Sequence, residues 1–418
     1  MSFLIKDCTI IDPRSSYHKK KVDLLIEKGQ ISRIAKSITA KKAKIIEGKK
    51  LMISPGWMDI GVQTGEPGLE QRDRLSNTLD AAAAGGYTRI ALFSNDAQPF
   101  DHSSGISFIQ EKTRGHAVHC HVIGALSQKL EGAEISEMMD MHESGAIGFG
   151  DGLHPIESTG LLERALQYSK AIDVPIIHQP EDQSLAKNAQ MHEGRVSTSL
   201  GMKGIPDIAE SIMIDRDLEL LKYTGGKLLT HLVSTEKGLE HIKKEKKNLA
   251  DHLFVSVAYQ NLLETDDSLL SFDSNRKLTP PLRGKSDCKA LNKAVENDLI
   301  DIICSNHVPI EREGKFKEFV YAENGALGLQ TCGLSMLELF EAEIIVTKMS
   351  INPRKIFQLD QAVIEKGQAA ELTIWSNKED YTFSKQKNLS KSQNSPFFGK
   401  NYTNKIIGVI SQGHFVAQ

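Results

Sequence analysis

Residues 55–68 read Pro55-Gly56-Trp57-Met58-Asp59-Ile60-Gly61-Val62-Gln63-Thr64-Gly65-Glu66-Pro67-Gly68. The apolar run Trp57–Val62 sits between a Pro-Gly start and a Gly-Glu-Pro-Gly stop. That is the pattern of a short buried strand running into a loop. Residues two apart on a strand face the same way, so Gly61 and Gln63 project to one side at its end. Before this stretch the chain reads as β-only. After it, apolar runs of four to six residues alternate with helical stretches.

Seven more strand-like runs follow: Thr88–Phe93, Ala117–Ile123, Gly145–Phe149, Val174–His178, Lys227–Leu232, Leu253–Ala258 and Leu299–Ser305. Helical stretches between them include Ser76–Ala84, Ser158–Ala171, Ile208–Tyr223 and Thr235–Leu249. Eight strands in such a series predict an α/β fold, a closed parallel (β/α)8 TIM barrel. Gln260–Arg283 and Val308–Asn324 are long, irregular and placed after strands. Barrel enzymes carry their active-site loops on that side.

The first residues alternate as strands Phe3–Ile11, Val22–Glu27, Ile31–Ile34 and Lys44–Ile46. The rhythm returns late, in Ala362–Ile364, Ala370–Trp375, Lys405–Ser411 and His414–Ala417. The expected organisation is a small composite β domain from residues 1–54 plus 360–418, beside a barrel over residues 55–359.

A chain of 418 residues has room for both. Hydrophobic content of 40% and charged content of 25% are those of a soluble globular protein. A net charge of −3 gives no reason to expect nucleic acid or an anionic membrane as partner. No apolar stretch approaches the roughly 20 residues of a membrane span. The start, Met-Ser-Phe-Leu-Ile-Lys-Asp-Cys, has no signal-peptide core. Five scattered cysteines form no Cys-x-x-Cys spacing and read as reduced thiols. A cytoplasmic location is expected.

Several stretches together resemble dihydroorotase, of the type similar to the domain of multifunctional pyrimidine enzymes. They include Glu66-Pro67-Gly68, Ala81 to Thr88, Ser94-Asn95, Gly145 to Phe149, Glu181-Asp182 and Gly204-Ile205-Pro206. They continue with Tyr223 to Gly226, Val233-Ser234-Thr235, Pro280-Pro281-Leu282-Arg283 and Asn394-Ser395-Pro396-Phe397. The ordered set spans nearly the whole chain. The resemblance implies a (β/α)8 barrel and the interconversion of N-carbamoyl-aspartate and dihydroorotate. It implies zinc as cofactor, with a metal-bound hydroxide as nucleophile in the hydrolytic direction.

The family's ligand positions are changed one after another. Its first strand, in the amidohydrolase pattern Pro-Gly-x-x-Asp-x-His-x-His, carries a metal-binding pair. Gly61 and Gln63 stand there instead. Glycine offers no donor, and an amide is a poor zinc ligand beside imidazole. The histidine of the fifth strand is Gln179, and that of the sixth is Leu232. The aspartate of the eighth strand, ligand and proton shuttle, is Asn306, which cannot act as a base near neutral pH. The arginine that grips the substrate carboxylate is Gly65, so a bidentate clamp is lost. Asp151 matches one acidic ligand of the family. Asn95 and His307 match its substrate-binding positions.

Two histidines stand one residue before lost ligands, His178 and His231. A one-residue slip turns a strand side chain to the opposite face, so bulges would be needed to bring both into the mouth. Both are expected to pack between barrel and helices. His119 and His121, with His116 nearby, have i,i+2 spacing on the third strand, where the family has no ligand. They are read as barrel-interior or helix-side packing.

The expected reading is a dihydroorotase-like protein that binds no zinc and has lost catalysis. It would serve as a scaffold, associating with itself and with aspartate carbamoyltransferase. The alternatives are an active dihydroorotase with an atypical metal site and a metal-free barrel binding another small ligand. Site chemistry decides among them, since fold alone does not carry function.

Overall fold

A computed structural model describes residues 2–418. The chain opens with β1 (Ser2–Ile10), β2 (Lys21–Glu27), β3 (Gln30–Ala35), β4 (Lys44–Ile46) and β5 (Leu51–Pro55). The barrel begins with β6 (Trp57–Val62), β7 (Tyr87–Leu92), β8 (His119–Gly124), β9 (Ala146–Phe149) and β10 (Ile176–His178). A short outlying parallel pair follows, β11 (Met191–His192) and β12 (Gly204–Ile205). The barrel is completed by β13 (Leu228–Thr230), β14 (Leu253–Ala258) and β15 (Ile302–Cys304).

The eight barrel strands stand side by side in chain order, each parallel to the next. Alternation sorts their side chains. Met58, Ile60, Ala91, Ile123, Ile177 and Leu229 fill the interior. Trp57, Ile90, Leu92, Val122, Ile176 and Leu228 face the helices. Across the seam between first and last strand, the Ser305 amide donates to Asp59 Oδ1 at 2.9 Å. The Gln63 amide donates to the His307 carbonyl at 2.9 Å.

The chain ends with β16 (Leu372–Thr382), β17 (Asn401–Ser411) and β18 (His414–Ala417). β16 pairs antiparallel with β5, so both termini share one eight-stranded sheet. Two details depart from the sequence pattern. Leu51–Pro55 is a strand in its own right and forms the joint between the terminal segments. Ala362–Ile364 is not a strand. Side chains of the first segment take its polar groups instead: Ser15 Oγ donates to the Ile364 carbonyl at 2.6 Å, and the Ile364 amide donates to Asp12 at 3.1 Å. No helix among the described residues is long and apolar enough to cross a membrane.

One buried carboxylate ties sheet to barrel. Glu371, just before β16, accepts from Thr88 Oγ1 at 2.7 Å and twice from Arg89, at 2.9 and 3.0 Å. It also accepts twice from Arg354, at 2.5 and 3.2 Å. Burial alone would raise its pKa. The two guanidiniums outweigh burial and hold it well below the usual carboxylate range. Arg354 is fully buried and also donates to the Gly56 carbonyl at 2.9 Å, where β6 begins.

Removing one partner of such a group strands buried charge. Glu371→Ala should lower unfolding free energy by about 3–5 kcal/mol, read by urea denaturation. A loss below about 1 kcal/mol, the range of exposed ion pairs, would show that the joint does not depend on this carboxylate.

Candidate functional site

Barrel enzymes build their sites where strands end, so the C-terminal ends of β6, β7, β10, β13 and β15 define the mouth. The pairing of β6 with β7 shifts register between Ile60 and Val62. At that bulge Gly61 has a φ of +79°. Only glycine adopts such a value without strain. A Cβ built at Gly61 would lie 2.7 Å from His231 Nε2 and 2.7 Å from Phe93 Cε2. The space that a side chain at 61 would need is already taken.

His231 takes it. Alternation continues beyond β13, so Leu229 and His231 both face inward. The ring stands edge-on to Phe93, with centroids 5.4 Å apart and planes at 82°. Its Nδ1 shares a hydrogen bond with Ser256 Oγ at 2.9 Å. Burial drives its pKa down to about 3, so the imidazole is neutral. The expectation that His231 packs against helices therefore fails. Leu232 follows in the left-handed region, φ +56°, and this turn brings it inward too. It joins Met58, Ile60 and Phe93 in the interior apolar cluster.

His178 behaves as expected. It faces the helix Ile208–Thr224, where its Nδ1 lies 2.5 Å from Asp217 Oδ2. Its Nε2 accepts from the Ile156 amide at 2.9 Å. Both ring nitrogens are engaged outside the barrel.

The remaining positions are also occupied by structural duties. Asp151 Oδ1 accepts from the amides of Leu126 and Ser127, at 2.8 and 2.9 Å, and Oδ2 from Ser127 Oγ at 2.5 Å. Asn95 braces the loop after β6. It donates to the Pro67 carbonyl at 2.9 Å and accepts from the Ala97 and Gln98 amides at 3.0 and 3.1 Å. Asn306, at φ +45°, donates to the Thr279 carbonyl at 3.0 Å. His307 Nδ1 accepts from the Gly328 amide at 3.1 Å, which places the proton of the neutral ring on Nε2. That Nε2 and Gln179 Oε1 are buried without partners. At Gly65 a Cβ would lie 2.1 Å from the Leu69 carbonyl oxygen and 2.7 Å from the Asp73 amide. Backbone cannot step aside as a side chain can, so no arginine fits there.

The residues present do not fit a zinc ion. Gly61 and Leu232 offer no donor, Gln63, Gln179 and Asn306 offer only amides, and Asp151 is spent on the amides of Leu126 and Ser127 and the Ser127 hydroxyl. Among the described residues no three His, Cys, Asp or Glu side chains are placed to share a metal. Sequence reasoning missed Phe93 and Ser256, which together shape this interior. Phe93 was legible in principle, since it shares the inward parity of Ala91. The contact of Ser256 with His231 crosses strands and was not.

Asp59 is a fully buried carboxyl of the first strand, at the seam. Its Oδ1 accepts from Ser305 and Ile60 amides, while Oδ2 has no partner. Burial lifts its pKa from 3.8 to about 6, against the pull of those hydrogen bonds.

Comparison with known proteins gives a consistent relationship. The family described as Dihydro-orotase-like matches residues 49–237. The dihydroorotase of Pelotomaculum thermopropionicum is 34% identical over 406 residues, covering 96% of this chain and 95% of that protein. The dihydroorotase of Syntrophus aciditrophicus is 32% identical over 426 residues, covering 100% of both. Among solved structures, the L-hydantoinase (dihydropyrimidinase) of Arthrobacter aurescens superposes with a TM-score of 0.84 at 25% identity, covering 100% of this chain and 96% of that one.

Two outcomes test the packing of the mouth. Gly61→His should bind no stoichiometric zinc and should lose about 2–4 kcal/mol, from strained φ and overpacking together. Retained zinc with unchanged stability would show that His231 and Phe93 yield freely. For Asp59 the folded pKa lies above the unfolded one, so the folded state holds the extra proton. Stability should fall as pH rises from about 4 to about 6, by roughly 3 kcal/mol in all. Asp59→Asn should flatten that part of the pH–stability curve. Parallel curves for the two proteins would refute the assignment.

Proposed function

The chain belongs to the dihydroorotase family, and we propose that it has kept the family's frame while losing its catalysis. In this reading it serves pyrimidine biosynthesis as a scaffold, binding itself and aspartate carbamoyltransferase. The observation that carries the loss of catalysis is the filled space at Gly61. His231 and Phe93 occupy the place of the first ligand, and Leu232 replaces another with hydrocarbon. Without a metal no hydroxide forms near neutral pH. Asn306 cannot shuttle a proton, and Gly65 cannot hold a carboxylate.

A docking role is supported by the two irregular loops over the mouth. They expose Leu270, Phe272, Phe316, Val320 and Tyr321, with Phe316 at 80% and Tyr321 at 70%. Buried lysines pin the loops together. Lys277 Nζ donates to the Phe319 and Val320 carbonyls, at 2.9 Å each. Lys315 Nζ donates to the Ser274 and Glu323 carbonyls at 2.8 and 2.6 Å. An apolar patch on a braced support is what a protein partner needs. A stable interface there should bury more than about 1,000 Å².

The full-length identity to proteins named dihydroorotase favours one alternative, an active enzyme with an atypical metal site. A zinc-supplemented assay in both directions separates the two. The expected result is no dihydroorotate hydrolysis and no N-carbamoyl-aspartate cyclisation above background. Turnover would establish the alternative. Mixed with the cognate transcarbamoylase at micromolar concentration, the chain should co-elute, and Phe316→Glu with Tyr321→Glu should abolish the complex. Separate elution of the native proteins, with transcarbamoylase activity unchanged, would instead favour a metal-free barrel binding another small ligand.

A further inference from the structure

The opposite end of the barrel carries polar groups beyond those that join it to the sheet. A cavity of about 650 Å³ lies there, between the barrel floor and the terminal sheet. Its walls include Lys28, Arg89, His119, Asp360, Glu371 and Ser411. His119 and His121 share the inward parity of Ile123. Their rings lie 6.5 Å apart and nearly parallel, at 16°. The sequence pattern left their facing open, and the structure turns both inward at the floor.

The charges in this cavity are unequal in what they still offer. Glu371 presents no spare acceptor, because both its oxygens are saturated by Thr88, Arg89 and Arg354. Arg89 spends Nε and Nη2 on Glu371. Its Nη1 has only His121 Nε2, at a long 3.4 Å. Two guanidiniums face one carboxylate, which leaves the floor net positive. On the rim, exposed Lys28 and Asp360 offset each other. Ser411 is fully buried, and its Oγ has no partner. Burial, and then Arg89, lower the pKa of His119, so its ring is neutral and carries one N–H donor.

We propose that this cavity binds a small anionic ligand through a phosphate or carboxylate group. Arg89 Nη1 and His119 supply donors, and Lys28 supplies charge at the rim. With Glu371 saturated, the unpaired Arg89 Nη1 is the inner charged group still free to bond, which favours an anion. A cation is disfavoured, since the only inner carboxylate is saturated and no three metal-ligating side chains converge among the described residues. The volume exceeds that of a free phosphate and suits a ligand of nucleoside monophosphate size.

The full chain can be titrated calorimetrically with inorganic phosphate, succinate and a nucleoside monophosphate, at constant ionic strength. Saturable binding of at least one probe is expected, weakening as salt rises. Phosphate against succinate identifies the group, and tighter binding of the nucleotide shows that the remaining volume is used. His119→Ala and Lys28→Ala should each weaken binding about tenfold. Lys28 is exposed, so its variant should fold even if the other does not. The ring protons of His119 should shift on binding in NMR spectra. No saturable binding up to roughly 10 mM, or equal affinity in wild type and Lys28→Ala, would overturn the proposal.

Discussion

The Glu371 carboxylate fixes how the two parts of the chain meet. It reaches from the terminal sheet to the start of β7 through Thr88 and Arg89, and to Arg354 near the end of the barrel segment. Arg354 in turn holds the Gly56 carbonyl. The first barrel strand therefore starts from a point set by buried charge. Such a group is tolerated only because every oxygen lone pair aimed at the interior has a donor. The sheet from both ends of the chain is itself joined by the backbone pairing of β5 with β16, and Glu371 connects that sheet to the barrel.

At the other end of the same strands the constraint is steric. Positive φ at Gly61, Leu232 and Asn306 turns the chain at the ends of three strands. The turn at Leu232 lets two consecutive residues face inward. His231 then lies against Phe93 and over Gly61, and Leu232 joins the aliphatic interior. These features depend on one another. Glycine at 61 leaves room for the imidazole, and the imidazole leaves no room for a side chain at 61. The mouth floor is packed like a core, which distinguishes it from a site merely missing its ligands.

The loops above this floor stay ordered by a different means. Lys277 and Lys315 are buried, and their ammonium groups bond to carbonyls rather than to carboxylates. Burial lowers their pKa to about 8 and about 7. Groups that hold a loop in this way leave its apolar side chains free to face outward. The exposed surface at the mouth thus rests on polar pins below it, while the barrel interior remains apolar.

Much of this was legible in the residues alone. Short apolar runs alternating with helical stretches marked all eight barrel strands, because a strand buried on both faces reads locally as a continuous apolar run. The absence of a side-chain donor at positions 61 and 232 was legible too, since glycine and leucine carry none in any fold. The direction in which His231 points was not legible, nor were the floor cavity and the saturation of Glu371. Each depends on residues far apart in the chain, such as Arg89, Arg354 and Glu371, meeting in three dimensions. A strand pattern states which residues share a face. Only packing decides which side chain fills the space that another has left.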